Sequence, residues 1–251
     1  MLELHRLITQ TISPDRSVGQ LLLSLRMHWA TLPMRFSRGD VNVTEFIRLC
    51  KIVIPKYSML SVDRLHSLFQ LSLDAAQRGV PGAIVECGTW NGGAAAMMAA
   101  ATTRGGLSRD VWLYDSFEGL PPPTANDPKD VHDAYFKGWC SGSPGSVREV
   151  LRSVGLSDDK THIVKGWFET TLPGANVGPV ALLHVDSDWY QSVHQCLDAF
   201  YDAVVPGGVI IFDDYELWAG CKKAVDEFLH ARGEANELQS SGRIARHLVR
   251  R

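Results

Sequence analysis

Five short apolar runs, at residues 83–85, 111–114, 162–164, 180–185 and 209–212, constrain this chain more than anything else in its sequence. None alternates polar with apolar residues, so each suits a strand buried on both faces. Helical segments lie between most of them. Strand–helix–strand connections of that kind make right-handed crossovers in a mainly parallel sheet. In such α/β sheets a ligand sits beyond the carboxyl ends of the strands. The residues that follow each run are therefore the place to look for chemistry.

The first run is followed by Glu86-Cys87-Gly88-Thr89-Trp90-Asn91-Gly92-Gly93 and the second by Asp115-Ser116-Phe117-Glu118-Gly119-Leu120-Pro121. Lys165-Gly166-Trp167-Phe168 follows the third, Asp186-Ser187-Asp188 the fourth and Asp213-Asp214-Tyr215 the fifth. Four of the five strand ends thus carry carboxylates. One alone is a common helix cap. Four at one edge would repel one another and call for a ligand or cation.

Glu86-x-Gly88-x-x-x-Gly92 opens a small-residue helix over 94–101. Glycines allow a tight turn and close approach of a ligand. A dinucleotide fingerprint starting at Gly88 would need glycine at position 90, which is Trp90 and would block a pyrophosphate. S-adenosylmethionine carries no phosphate and fits better. Asp115 is placed to accept its ribose hydroxyls, and Trp167 and Phe168 to flank its adenine.

Asp186 and Asp213 are separated by one crossover, 189–205, so both fall at the same sheet edge, with Asp214 next to Asp213. Carboxylates packed that closely stay ionised around a cation. All-oxygen ligands favour Mg²⁺, Mn²⁺ or Ca²⁺ over zinc. Asp188 is a further member of the cluster or a general base, and Asp186 or Asp188 is the candidate catalytic base. His184, two residues before Asp186 in its run, reads equally as a core histidine and as a catalytic one. His194 has no evident partner. Lys165 is the one cation seen flanking the site, which disfavours a nucleotide sugar as substrate.

Composition narrows the function classes. The net charge is −3, with no basic stripe of the kind nucleic-acid binders carry. The terminal segment 243–251 mixes arginines with Ile244, Leu248 and Val249 and reads as a strand. The cysteines Cys50, Cys87, Cys140, Cys196 and Cys221 form no C-x-x-C pair, as expected of reduced thiols in a cytoplasmic protein. Glu3, His5 and Arg6 interrupt any signal sequence, and the run Leu21-Leu22-Leu23 is too short to span a bilayer. Leu21, Leu22, Leu25 and Trp29 recur at helical spacing, so residues 1–56 are expected as a helical extension, a cap or an oligomer contact, ahead of a catalytic domain over 57–251. A longer amphipathic helix is predicted over 61–78. The Pro/Gly-rich stretch 121–145, with Tyr135, Phe136 and Trp139, is expected as a lid.

These stretches together resemble the macrocin O-methyltransferase family, which methylates sugars of macrolide and aminocoumarin antibiotics. The match lies in Tyr57-Ser58-Met59-Leu60-Ser61, Val80-Pro81-Gly82, Val85-Glu86-Cys87-Gly88, the stretch from Asp115 to Pro121, Gly166-Trp167-Phe168, Asp186-Ser187-Asp188 and Pro206-Gly207-Gly208 with Asp213-Asp214-Tyr215. The resemblance implies a Rossmann-like class I methyltransferase with a seven-stranded sheet. It also implies S-adenosylmethionine held around Glu86, Gly88, Thr89, Trp90, Gly92, Asp115, Ser116, Gly166, Trp167, Phe168 and Asp186, and Mg²⁺ held by Asp186, Asp213 and Asp214. Catechol O-methyltransferase is a more distant relative, whose base is a lysine three positions after the first aspartate. Here that position is Trp189, so the base does not carry over, and Trp189 is expected to shape the acceptor pocket. The acceptor is expected to be a glycoside presenting a vicinal diol, and the enzyme a homo-oligomer. An NAD-dependent sugar oxidoreductase and a non-catalytic protein of the same fold are the alternatives. Trp90 argues against the first and the acidic cluster against the second.

Overall fold

All five apolar runs form strands of one sheet in the computed structural model, which describes residues 43–234 and 238–251. The helical expectation for residues 1–42 lies outside the described residues. The chain divides into two compact units, Met1–Arg48 and Leu49–Arg251, and the sheet belongs wholly to the second.

The order of elements is α1 (Val43–Val53), α2 (Val62–Gln77), β1 (Ala83–Cys87), α3 (Gly93–Arg104), β2 (Val111–Asp115), α4 (Lys129–Ala134), α5 (Pro144–Ser153), β3 (Thr161–Lys165), α6 (Phe168–Thr171), β4 (Val180–Val185), α7 (Tyr190–Phe200), β5 (Val204–Phe212), α8 (Ala219–Ala231), β6 (Gln239–Ser241) and β7 (Ala245–Val249). The sheet order is β3-β2-β1-β4-β5-β7-β6. The first five strands are parallel, β7 runs antiparallel to β5, and β6 antiparallel to β7. Strands β1 and β4 are buried at every position, as the absence of alternation requires.

From β1 the chain crosses to β2 on one side, and from β4 to β5 on the other. Right-handed crossovers in opposite directions put their helices on opposite faces and open a crevice where the directions diverge, between β1 and β4. Ladder bonds continue one residue past the strands and fix the loops there. Gly88 N–H donates to Tyr114 O at 2.9 Å, Asp186 N–H to Cys87 O at 2.9 Å, Asp213 N–H to Val185 O at 3.0 Å and Gly166 N–H to Asp115 O at 3.0 Å. A buried cluster of Val193, Leu197 and Phe200 from α7 and Val225, Phe228 and Leu229 from α8 covers β4 and β5 on one side.

β5 begins before its apolar run, at Val204, and takes in Pro206-Gly207-Gly208, which reads as a turn. There the edge pairs with the chain end: Gly207 N–H donates to Arg250 O at 2.8 Å and Arg250 N–H to Gly208 O at 2.9 Å.

Candidate functional site

The turn after β1 is held by the end of β2. Asp115 Oδ2 accepts the Thr89 and Trp90 N–H groups at 2.8 and 2.7 Å, and Oδ1 accepts Phe117 N–H at 2.6 Å. A carboxylate offers about four acceptor positions, so three are already committed to the backbone. Burial pushes the Asp115 carboxyl up, and the three N–H donors pull it back only in part. Asp115 therefore builds the turn, a role the sequence reading did not give it. Ser116 is also engaged locally: its hydroxyl donates to Gly119 O at 2.9 Å and accepts Glu118 N–H at 3.1 Å.

Gly88 is fixed by a neighbouring loop. Its φ is +89°, and a Cβ there would collide with the Asp186 carbonyl oxygen. The turn after β1 and the loop after β4 thus touch backbone to backbone. Gly92, at φ +87°, precedes the first turn of α3. The Thr89 hydroxyl is buried in this turn without a hydrogen-bond partner. Trp90, itself at φ +49°, donates its indole N–H to Ser141 O at 3.0 Å and so joins the turn to the 121–145 segment. Trp167 and Phe168 are half-buried where β3 meets α6, with Phe168 packed on the α7–α8 cluster.

The four acidic strand ends do not form one cluster. Glu86 is 1% exposed and its Oε1 lies 2.9 Å from His184 Nδ1, below the crevice. On its other side His184 Nε2 is 3.6 Å from Asp213 Oδ1. Burial works against a charge on His184, but Asp213 and Glu86 outweigh it and raise its pKa to about 10. His184 thus lies buried between two carboxyl groups, and burial pushes the Glu86 carboxyl up even against His184. His194 pairs within its own helix, its Nδ1 2.9 Å from Asp198 Oδ2.

Asp186, Asp188, Asp213 and Asp214 do gather at the carboxyl ends of β4 and β5. Ligand atoms of His184, Asp186 and Asp213 lie within 4.8 Å of one another. Asp214 is not in that group; its Oδ1 is 3.6 Å from the guanidinium of Arg64, which also contacts Asp213 Oδ2. Burial, then Asp213 and Asp214, push Asp186 well above the usual carboxylate range. Burial, then Asp188 and Asp213, do the same to Asp214. Asp213 alone is held low, because Arg64 and His184 overcome its burial. Buried atoms still lacking a partner include Asp213 Oδ1, Asp214 Oδ2 and His184 Nε2. Positive charge is short here even with Arg64 in place, and oxygens remain open, so the donor set fits a hard divalent cation.

Arg64 escaped the sequence reading because a charged residue near a helix start looks solvated. Its signal was periodicity: Arg64, Leu68 and Ser72 recur every fourth residue on the buried side of α2. The flanking cation expected at Lys165 is instead exposed.

Asp188 adopts φ +56° and accepts the Trp218 indole N–H at Oδ1 over 2.7 Å. Burial raises its carboxyl to about 6, against the Trp218 hydrogen bond. Trp189 does not line the pocket as expected. It is 1% exposed and donates its indole N–H to Pro121 O at 2.9 Å, anchoring the start of the 121–145 segment. The exposed aromatic surface is carried instead by Phe136, 55% exposed, and the half-buried Trp139 and Trp218, with Trp139, Trp189 and Trp218 packed edge to face at 5.2–6.3 Å and Phe136 stacked on Trp139. Asp127 is buried and docks the same segment on α7, its Oδ1 accepting Tyr190 N–H at 2.9 Å.

The model of the macrocin O-methyltransferase (TylF) family matches residues 51–245. The 8-demethyl-8-(2,3-dimethoxy-alpha-L-rhamnosyl)-tetracenomycin-C 4'-O-methyltransferase of Streptomyces olivaceus is 33% identical over 198 residues, 76% of this chain and 76% of its own length. The mycinamicin III 3''-O-methyltransferase of Micromonospora griseorubida is 34% identical over 191 residues, 72% of this chain and 74% of its own. The solved structure of the O-methyltransferase NovP superposes with a TM-score of 0.70 at 34% identity, over 77% of this chain and 82% of that one. With its class I sheet, its glycine turn and its acidic edge, this chain belongs to the macrocin O-methyltransferase family and is an O-methyltransferase.

Proposed function

We propose that this enzyme transfers the methyl group of S-adenosylmethionine to a sugar hydroxyl on a natural product, assisted by a divalent cation. The observation that carries this reading is the gathering of Asp186, Asp188, Asp213 and Asp214 beside the Gly88 turn, next to a partly open wall of tryptophans. Relatives named for methylation of antibiotic sugars support the acceptor class.

The turn from Gly88 to Gly92, the unpartnered Thr89 hydroxyl and the first turn of α3 would hold the amino-acid end of the donor, whose carboxylate suits a helix N-terminus. Asp115 and Ser116 frame its ribose, and Trp167 and Phe168 flank its adenine. Asp186, Asp213 and Asp214 would hold the cation. When bound, the donor supplies an electrophilic methyl on sulfonium, and Mg²⁺ or Mn²⁺ supplies the charge that acidifies a hydroxyl.

The residues of the chain do the rest. Trp218 fixes one oxygen of Asp188, leaving Oδ2 to take the proton of the acceptor hydroxyl as its oxygen bonds the methyl carbon and the methyl–sulfur bond breaks. A carboxyl raised to about 6 is a better proton acceptor than an ordinary aspartate and is still ionised at neutral pH. Trp139 and Trp218 present apolar faces to a sugar ring, and the 121–145 segment excludes water over them. The reading is tested by incubating the enzyme with S-adenosylmethionine, Mg²⁺ and a panel of glycosides, with products read by mass spectrometry. A mass gain of one methyl on a glycoside that offers neighbouring hydroxyls is expected. Methylation of a non-sugar acceptor alone would overturn the acceptor class.

A further inference from the structure

The chain brings its own cation to the carboxylate edge. Arg64 sits in the first turns of α2, and its side chain is 12% exposed. Its guanidinium touches Asp213 Oδ2 and lies 3.6 Å from Asp214 Oδ1. Both aspartates are among those that would hold the divalent ion. The set is therefore divided: His184, Asp186 and Asp213 present atoms within 4.8 Å of one another, while Asp214 stands beside Arg64. Arg64 takes Asp213 Oδ2 and Asp214 Oδ1 and leaves Asp213 Oδ1 and Asp214 Oδ2 without a partner, but it fixes how both carboxylates face and sets a positive charge beside any divalent ion they would hold.

We propose that Arg64 is a resident counter-ion that competes with the divalent cation for Asp213 and Asp214, so that metal loading requires the guanidinium to withdraw. The inference rests on the metal reading above. Without metal, Arg64 compensates Asp213 and, in part, Asp214, whose burial would otherwise be costlier. With metal, its withdrawal releases Asp214 to join Asp186 and Asp213. The gain is a site that does not repel itself apart when empty, and the cost is weaker metal affinity. Apparent affinity falls in proportion to the fraction of molecules in which the ligands are free.

The test titrates Mn²⁺ alone, without donor or acceptor, into the purified enzyme, read by calorimetry and by the EPR signal of free Mn²⁺. Arg64→Gln is expected to bind Mn²⁺ roughly tenfold more tightly than the wild type, as follows if the paired state holds about nine molecules in ten. Its metal-free form should melt at a lower temperature, and Mn²⁺ should raise its melting point by more than it raises that of the wild type. Arg64→Lys keeps the charge with a single-point contact and protects against a folding failure; it is expected to tighten binding by a smaller factor. Equal or weaker Mn²⁺ binding in the variants overturns the proposal. Absence of Mn²⁺ binding in wild type and variants alike overturns the metal reading and the proposal with it.

Discussion

The indole N–H of Trp218 donates to Asp188 Oδ1 across 2.7 Å, from the residue that precedes α8 to the loop after β4. It holds the proposed base in place against a left-handed backbone at φ +56°. Replacing Trp218 with Phe keeps an aromatic face beside Trp189 and removes only the donor. A hydrogen bond to a charged group is worth about 1.5–3 kcal/mol, so kcat/KM should fall about 10- to 100-fold. Steady-state kinetics would show it; an unchanged kcat/KM would mean Asp188 needs no anchoring.

Chelation separates the metal reading from a purely positional one. Activity is expected to vanish in EDTA and return with Mg²⁺ or Mn²⁺. Asp186→Asn should raise the Mn²⁺ concentration needed for half activity at least tenfold while S-adenosylhomocysteine still binds, because the donor turn is built by other residues. Full turnover in a chelated sample would refute the metal reading.

Asp115 offers a test of the turn itself. Asp115→Asn preserves shape but turns one acceptor oxygen into an amide N–H group, which then faces a backbone N–H. With Oδ2 accepting from Thr89 and Trp90 and Oδ1 from Phe117, either orientation leaves at least one donor unmet. An unmet buried donor costs about 1–3 kcal/mol. Calorimetry with S-adenosylhomocysteine should find affinity reduced about 5- to 150-fold. Wild-type affinity would show that the turn does not depend on this carboxylate.

Gly88→Ala and Gly155→Ala form a matched pair. Both positions have positive φ, +89° and +87°, but the space around Gly155 is open whereas a Cβ at Gly88 meets the Asp186 carbonyl. The left-handed backbone alone costs an alanine about 1–2 kcal/mol, a few degrees in melting temperature for a chain of this size. Gly88→Ala should lose about 10 °C or more, since the β4 loop must also move. Equal melting points for the two variants would show that the loop gives way freely.

The sheet was legible because its central strands β1 and β4 are buried on both faces and so carry unbroken apolar runs; β3 carries such a run although it lies half-buried at the sheet's edge. β6, Gln239–Ser241, carries no such run: it is three polar residues at the sheet's edge, held by pairing with β7. The start of β5 was hidden by Pro206 and Gly207, which look like a turn until the chain end pairs with them. At the site, the residue types at the strand ends were readable, and their division of labour was not. Glu86 facing His184 and Asp115 facing the backbone depend on register between strands distant in sequence. Arg64 and Trp218 reach the carboxylates from α2 and from the residue before α8, and no local motif marks either one.

The contact between Gly88 and the Asp186 carbonyl has a consequence for redesign. The turn proposed to hold the donor and the loop that carries the proposed base share one seam with no side chain between them, so neither can be reshaped without shifting the other. The 121–145 segment is fastened by single hydrogen bonds through Trp189, Trp90 and Asp127, and it meets the turn backbone to backbone at one point, where a Cβ on Gly142 would collide with the Trp90 carbonyl. An engineer testing that segment as the proposed acceptor cover should vary it away from Gly142 and leave both backbone seams alone.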